Sequence, residues 1–222
     1  MKSRIGRILK RIASVMAAVG LVVVVYYGIR ITQARRVTGA LVGPALASQS
    51  DALGVYDLTE EQLHILLAVQ DPGFFDHAGT DFSGGTMTTI TQALVKVYYF
   101  DQFKPGFRKI EQSLIARYAL DRLVSKEDQL VLFLNVSYLG TVDGHEIHGF
   151  QDGALTYFGR SLGSLTGDEF IALVAMLAGP NHFNPVRNPK ALERRVGQIQ
   201  RLLAGECERG GLLKLGENCW SE

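Results

Sequence analysis

Residues 12–29, IASVMAAVGLVVVVYYGI, contain no charged side chain, whereas Lys2, Arg4, Arg7, Lys10 and Arg11 precede them and Arg30, Arg35 and Arg36 follow. As a helix this run spans about 27 Å at 1.5 Å per residue, close to a bilayer hydrocarbon core of ~30 Å. The run therefore predicts a transmembrane helix, and the heavier basic cluster before it predicts a cytoplasmic N-terminus with the remainder exported and Tyr26 and Tyr27 at the outer interface. A cleaved signal peptide is the alternative, but the apolar run is long for one and no A-x-A site follows it directly. The chain then divides into a basic segment at 1–11, the membrane helix at 12–29, a linker at 30–56 rich in small residues, one domain at 57–204 and a tail at 205–222.

The 222 residues suffice for one globular domain with a proper core behind the anchor. A formal net charge of +1 provides no global basic field, so nucleic acid is not an expected partner. The two cysteines, Cys207 and Cys219, both lie in the tail, where in an oxidising compartment they can close a short loop. No zinc-type spacing occurs. His145, Glu146 and His148 in HEIH lack the i, i+4 histidine pair of a helical metal site and lie among glycines, so the segment reads as a plain loop.

Three helix starts share one grammar. Thr59, Ser125 and Thr166 each offer a hydroxyl at an N-cap, each has an acidic or amide side chain three residues on (Gln62, Asp128, Glu169), and an apolar run follows each. LVLFLNVSYLG (130–140) and FIALVAMLAG (170–179) are apolar on nearly every face and read as central helices, joined in the core by a helix around 108–123. No sustained period-2 alternation with hairpin turns is evident, so the expected class is mainly α. Polar, Gly-rich segments at 70–88, 101–109 and 140–153 interrupt the helices, and such loops on a rigid scaffold usually carry binding and catalytic groups.

Pro72 should end the helix that begins near Glu60, leaving Gln70 and Asp71 at a helix end. SGGTMTTITQALVK then sets two glycines before a hydroxyl-rich helix start, with Thr89 and Gln92 in its first turn and Lys96 one turn on, a pattern suited to an anion or to ordinary capping. YYFDQFKPGFRKIEQ brings Lys104, Arg108 and Lys109 together with aromatic rings, as a phosphate-bearing amphiphile at a membrane surface would require.

Taken in order, these segments resemble glycosyltransferase family 51, the peptidoglycan polymerases that extend glycan strands from a lipid-linked disaccharide-peptide. DPGFFDHAG is similar to the family's first motif, ED-x-x-F-x-x-H-x-G, at Asp71, Phe74, His77 and Gly79; TTITQALVK resembles STITQQLVKN, and RKIEQ resembles RKxxE. FLNVSYLG, GALTYFGRSLGSLT and LAGPNHFNPVRNP resemble later structural motifs. The resemblance implies a lysozyme-like helical domain on the outer face of the cytoplasmic membrane. It also implies a glutamate base that deprotonates the acceptor sugar's 4-hydroxyl for attack on the donor's anomeric carbon as the lipid pyrophosphate leaves, with a second glutamate assisting. Phe74, His77, Thr89, Gln92, Lys96, Lys104, Arg108 and Lys109 take the substrate-binding positions. Implied partners are the lipid-linked precursor or glycan strand, the membrane, and candidate cell-wall synthesis or division proteins. No cofactor or metal site is expected, with a divalent cation to be added only if the site turns over.

Both glutamate positions depart from the family pattern: the first falls on Gln70 and the second on Gln112. An amide hydrogen-bonds a hydroxyl but does not take its proton at neutral pH, and positioned acid–base groups typically contribute ~10²–10⁴-fold. Asp71 and Glu111 are the nearest acids, but a shift of one residue turns a helical side chain by about 100°. Against the family's second motif, Ala93 stands for a glutamine and Val97 for an asparagine, two residues read as inserted near Thr86 and Met87, and the stretch between the first motif and the Gly pair is short. The expected function is a membrane-anchored pseudoenzyme that binds precursor or glycan; the alternatives are an active polymerase with an unusual base and a vestigial site kept for packing.

Overall fold

The computed structural model describes residues 2–47, 54, 57–81, 88–104, 106–209 and 218–220, the side chains of 2–5, 7 and 9 excepted. The Gly84–Gly85 pair, Thr86 and Met87 lie outside the described residues, as do 48–53 of the expected linker, the cations of Lys2, Arg4 and Arg7, and 210–217 of the tail.

The protein is mainly helical, as expected. Helix α1 runs unbroken over Lys2–Ala47. Its apolar stretch is exposed throughout, with a mean hydropathy of 2.3 in its most apolar window, which makes it long and apolar enough to cross a membrane. The expectation that a linker begins at residue 30 is corrected over 30–47, which is a continuation of the same helix. Ala34, Thr38 and Val42, spaced by one turn, are buried against the domain, and the Thr38 hydroxyl lies 2.7 Å from the Tyr99 hydroxyl. Small side chains, read from the sequence as a linker, serve here to let the helix lie close to its neighbours.

Helix α2 (Glu60–Gln70) starts at Thr59 and α8 (Gly167–Met176) at Thr166, each with a complete capping box; α6 (Lys126–Val136) starts at Ser125, whose hydroxyl accepts from Asp128 N. Helix α3 (Ile90–Tyr99) has a third complete box, formed by Thr89 and Gln92. Helix α4 (Phe107–Ile115) passes through one π-helical stretch, Ala116–Leu120, into the single turn α5 (Asp121–Leu123). Helix α8 is the central element: Phe170 through Met176 are all buried, and α2, α7 (Phe150–Phe158) and α9 (Pro189–Leu203) pack around it. Phe150 bridges its ring to those of Phe170 at 6.0 Å and Phe133 at 6.4 Å, linking α8 to α6. Fully buried Leu and Phe side chains of this kind contribute about 1.5–3 kcal/mol each.

The segment 140–153 is not a loop. Strands β1 (Tyr138–Val142) and β2 (His145–His148) pair antiparallel, with Val142 opposite His145. Asp143 and Gly144, at φ 50° and 83°, form the two-residue connection, and both positions need positive φ as in the Asp-Gly hairpin turn. HEIH is thus an exposed edge strand, with His148 near Glu146 and against the Tyr138 ring. The Asp-Gly signal was in the sequence, but the flanking strands are too short to display an alternation.

Nor is the tail a detached appendage. Cys207 and Cys219 form a disulfide, Trp220 lies with its ring 3.6 Å from the Arg195 guanidinium on α9, and Arg209 Nε donates to the Ala68 carbonyl of α2 at 3.0 Å.

Gly79 shows how tightly the loop after α2 is held. Its φ is +78°, and a Cβ there would stand 2.7 Å from the Ala116 carbonyl oxygen at the start of the π-helical stretch. Gly79→Ala is expected to cost about 3 kcal/mol or more, from left-handed strain and overpacking together, read as a lowered urea midpoint.

Candidate functional site

The first-motif loop and the start of α3 meet around one buried carboxylate, and the inner face of α4 joins α3 through Gln112 and the Gln92 carbonyl. Asp71 is fully buried; its Oδ1 lies 2.9 Å from His77 Nε2, and its Oδ2 accepts from Ile90 N at 2.9 Å. The anion expected at the N-terminus of α3 is therefore supplied by the protein itself, where the orphan amide and the helix dipole favour negative charge. Arg209, pushed down to about 10 by burial and raised in part by Asp71, remains a cation at neutral pH and adds positive charge to the same cluster.

The expected ligand contacts divide sharply. Phe74 is fully buried beneath Lys126, whose ammonium lies 4.6 Å from its ring centroid, so its reading as a substrate contact is corrected: it is a core side chain. His77 packs edge-on to Phe74 and is bound to Asp71. Thr89 Oγ1 accepts from Gln92 N and donates to the Gly79 carbonyl at 2.8 Å, while Gln92 Nε2 donates to Ser113 Oγ at 2.9 Å. Both are buried, with their hydrogen-bonding capacity directed into the protein, which corrects their assignment as open ligand contacts and favours the capping reading.

Gln70 and Lys109 converge on Thr88. Gln70 Nε2 approaches the Thr88 carbonyl at 3.4 Å, and Lys109 Nζ donates to the Thr88 hydroxyl at 2.9 Å. Burial and, secondarily, the charge of Lys96 lower the Lys109 pKa, while the Lys96 ammonium itself lies 5.8 Å from the Phe103 ring centroid. Gln112 is 1% exposed; its Nε2 donates to the Gln92 carbonyl, and its Oε1 has no partner among the described residues. An amide nitrogen makes that contact without penalty, whereas a carboxylate would face a carbonyl oxygen.

Glu111 points the other way, as a rotation of about 100° per residue requires. It is buried and paired with Arg30 of α1. Arg108 is likewise separated from Lys109: its Nη1 donates to the Gln102 carbonyl at 2.7 Å, and its guanidinium lies 5.6 Å from the Phe100 ring. The single cluster expected of Lys104, Arg108 and Lys109 is thus divided, with Lys104 exposed on the intervening loop. Among the described residues no group of three or more His, Cys, Asp and Glu could hold a metal, and with Asp71 and Glu111 engaged the site does not fit a divalent cation.

Sequence reading missed the partners of Arg30 and Arg209. For Arg30 a signal existed, since it is the first cation beyond the apolar run; for Arg209, separated by 141 positions from Ala68, none did.

Asp71→Asn would turn an amide N–H toward one of two donors. It is expected to destabilise the protein by about 2–3 kcal/mol, seen as a lower urea midpoint with the slope unchanged.

Comparison with known proteins agrees with the motif order. The transglycosylase family model matches residues 39–204. Penicillin-binding protein 1B of Escherichia coli is 36% identical over 154 residues, covering 62% of this chain and 18% of that protein. A Cupriavidus necator protein, H16_A0665, named among the transglycosylases only by provisional assignment, is 30% identical over 176 residues, covering 72% of this chain and 74% of its own. Penicillin-binding protein 1A of Pseudomonas aeruginosa is 28% identical over 163 residues. The chain therefore spans about a fifth of the penicillin-binding relatives. The family match covers most of the chain, including both segments that carry Gln70 and Gln112, and the chain belongs to the transglycosylase family, glycosyltransferase family 51.

Proposed function

We propose that this protein is a membrane-anchored pseudoenzyme of cell-wall biogenesis, which binds the lipid-linked disaccharide-peptide precursor or the glycan strand without polymerising it. One observation carries the reading: amides occupy both glutamate positions, while the two neighbouring acids are committed elsewhere, Asp71 to His77 and Ile90 N and Glu111 to Arg30. Glycosyl transfer needs a base to take the 4-hydroxyl proton as the oxygen attacks the anomeric carbon and the pyrophosphate departs. Gln70 can orient that hydroxyl but cannot hold its proton, and Gln112 is turned inward to the Gln92 carbonyl.

Binding has separate support. Lys109 holds an ammonium at Thr88, the charge of Lys96 reaches it from the next turns of α3, and point charges of this kind suit pyrophosphate oxygens. The basic N-terminal cluster favours a cytoplasmic N-terminus, and the Cys207–Cys219 disulfide favours a domain in an oxidising compartment, at the outer face of the cytoplasmic membrane.

With purified full-length protein and lipid-linked precursor, the expected result is binding without polymer above the protein-free background. Lys96→Glu with Lys109→Glu should weaken that binding about tenfold or more. Polymer from the wild type, abolished by Asp71→Asn or Glu111→Gln in a variant that remains folded, would overturn the reading.

The lowered Lys109 pKa sets a pH dependence. The group is charged below its folded pKa and neutral above it, so binding should weaken as pH rises through a value below the ~10.4 of an ordinary lysine. Lys109→Arg should move that loss of binding to higher pH, measured by titrating affinity against pH.

A further inference from the structure

A concavity lies apart from Gln70, Gln112 and Lys109. It has a volume of about 620 Å³ and opens where the exposed apolar stretch of α1 ends, between Tyr26, Tyr27 and Arg30 on one side and the 99–111 segment on the other. That depth is the headgroup region of any bilayer that α1 crosses, whichever way the chain is oriented. Phe107, 86% exposed, stands at its rim.

The charges of this cavity are balanced. Arg30 and Glu111 neutralise each other. What remains is Arg108, which spends Nη1 on the Gln102 carbonyl and keeps other donors of its fork, and Asp101, an exposed carboxylate with no hydrogen bond or ion pair among the described residues. One cation and one anion, set among the rings of Tyr26, Tyr27, Tyr99, Phe100 and Phe107, complement a ligand that itself carries one phosphate charge and one ammonium. Arginine suits the phosphate, and a carboxylate with aromatic faces suits the ammonium. A pyrophosphate fits poorly, because its two or more negative charges would meet Asp101 and Glu111 with a single uncommitted guanidinium to offset them.

We propose that this cavity binds the zwitterionic headgroup of a glycerophospholipid of the phosphatidylethanolamine class, its phosphate on Arg108 and its ammonium on Asp101. The acyl chains would then lie along the exposed Val22, Val25 and Ile29 face of α1. The site goes beyond the proposed precursor-binding role and does not depend on it. Occupied, it fastens α4 to the membrane surface through a lipid shared with α1.

The full-length protein, reconstituted in nanodiscs of equal phosphatidylethanolamine and phosphatidylglycerol with matched acyl chains, can be released into a native mass spectrometer. One retained phosphatidylethanolamine per chain is expected, in about tenfold excess over phosphatidylglycerol, since one charge-assisted contact distinguishes them. Asp101→Asn and Arg108→Gln, both at exposed positions, should each reduce that retention about fivefold or more while helical circular dichroism is unchanged. Equal retention of the two lipids, or retention unaffected by both substitutions, would overturn the proposal. So would displacement of phosphatidylethanolamine by an equimolar polyprenyl pyrophosphate, which would assign the cavity to a pyrophosphate lipid instead.

Discussion

The buried Asp71 carboxylate joins three parts of the protein that share no local sequence. It receives the first-motif loop through His77 and the amide at the start of α3 through Ile90, and it holds the charge of Arg209 nearby. A buried carboxylate without donors would be very costly, so each of these contacts constrains the others. The loop cannot relax without exposing α3's orphan amides, and α3 cannot tilt without leaving Asp71 unpaired. Gly79, fixed by Thr89 and pressed against Ala116, extends the same constraint to the π-helical end of α4.

On this scaffold, the two glutamine positions differ in what they retain. Gln70 stays partly exposed beside Lys109, within reach of a ligand. Gln112 has turned inward to the Gln92 carbonyl, a contact that only a donor makes well. An amide there stabilises α3 against α4 where a carboxylate would repel the same oxygen. At this position the amide serves the packing of α3 on α4.

The anchor and the domain are also less separable than a membrane tether would suggest. Helix α1 continues past the apolar run, buries Ala34, Thr38 and Val42, and holds Glu111 through Arg30. In any bilayer that α1 crosses, the domain's height is thereby set by a continuous helix, which brings Phe107 and the Asp101–Arg108 cavity to headgroup depth.

Local chemistry was legible in the sequence because it acts over a few residues. The apolar run named a membrane-crossing helix, the Thr59, Ser125 and Thr166 caps named helix starts, Pro72 named a helix end, and the motif order named the family. The resemblance that sets Gln70 and Gln112 at the family's glutamate positions is likewise read from the sequence alone. Tertiary structure decided the rest, because long-range pairing leaves no trace in a local window. It turned the 30–47 part of the expected linker into helix packed on the domain, the Gly-rich segment at 140–153 into most of a hairpin and the start of α7, and the tail into a brace on α2. It separated Arg108 from Lys109 by the rotation between adjacent helical residues, and placed Phe74 inside rather than in the groove. The sequence says which carboxylates are missing; only the folded chain says that those nearby are already held by Arg30, His77 and a helix N-terminus.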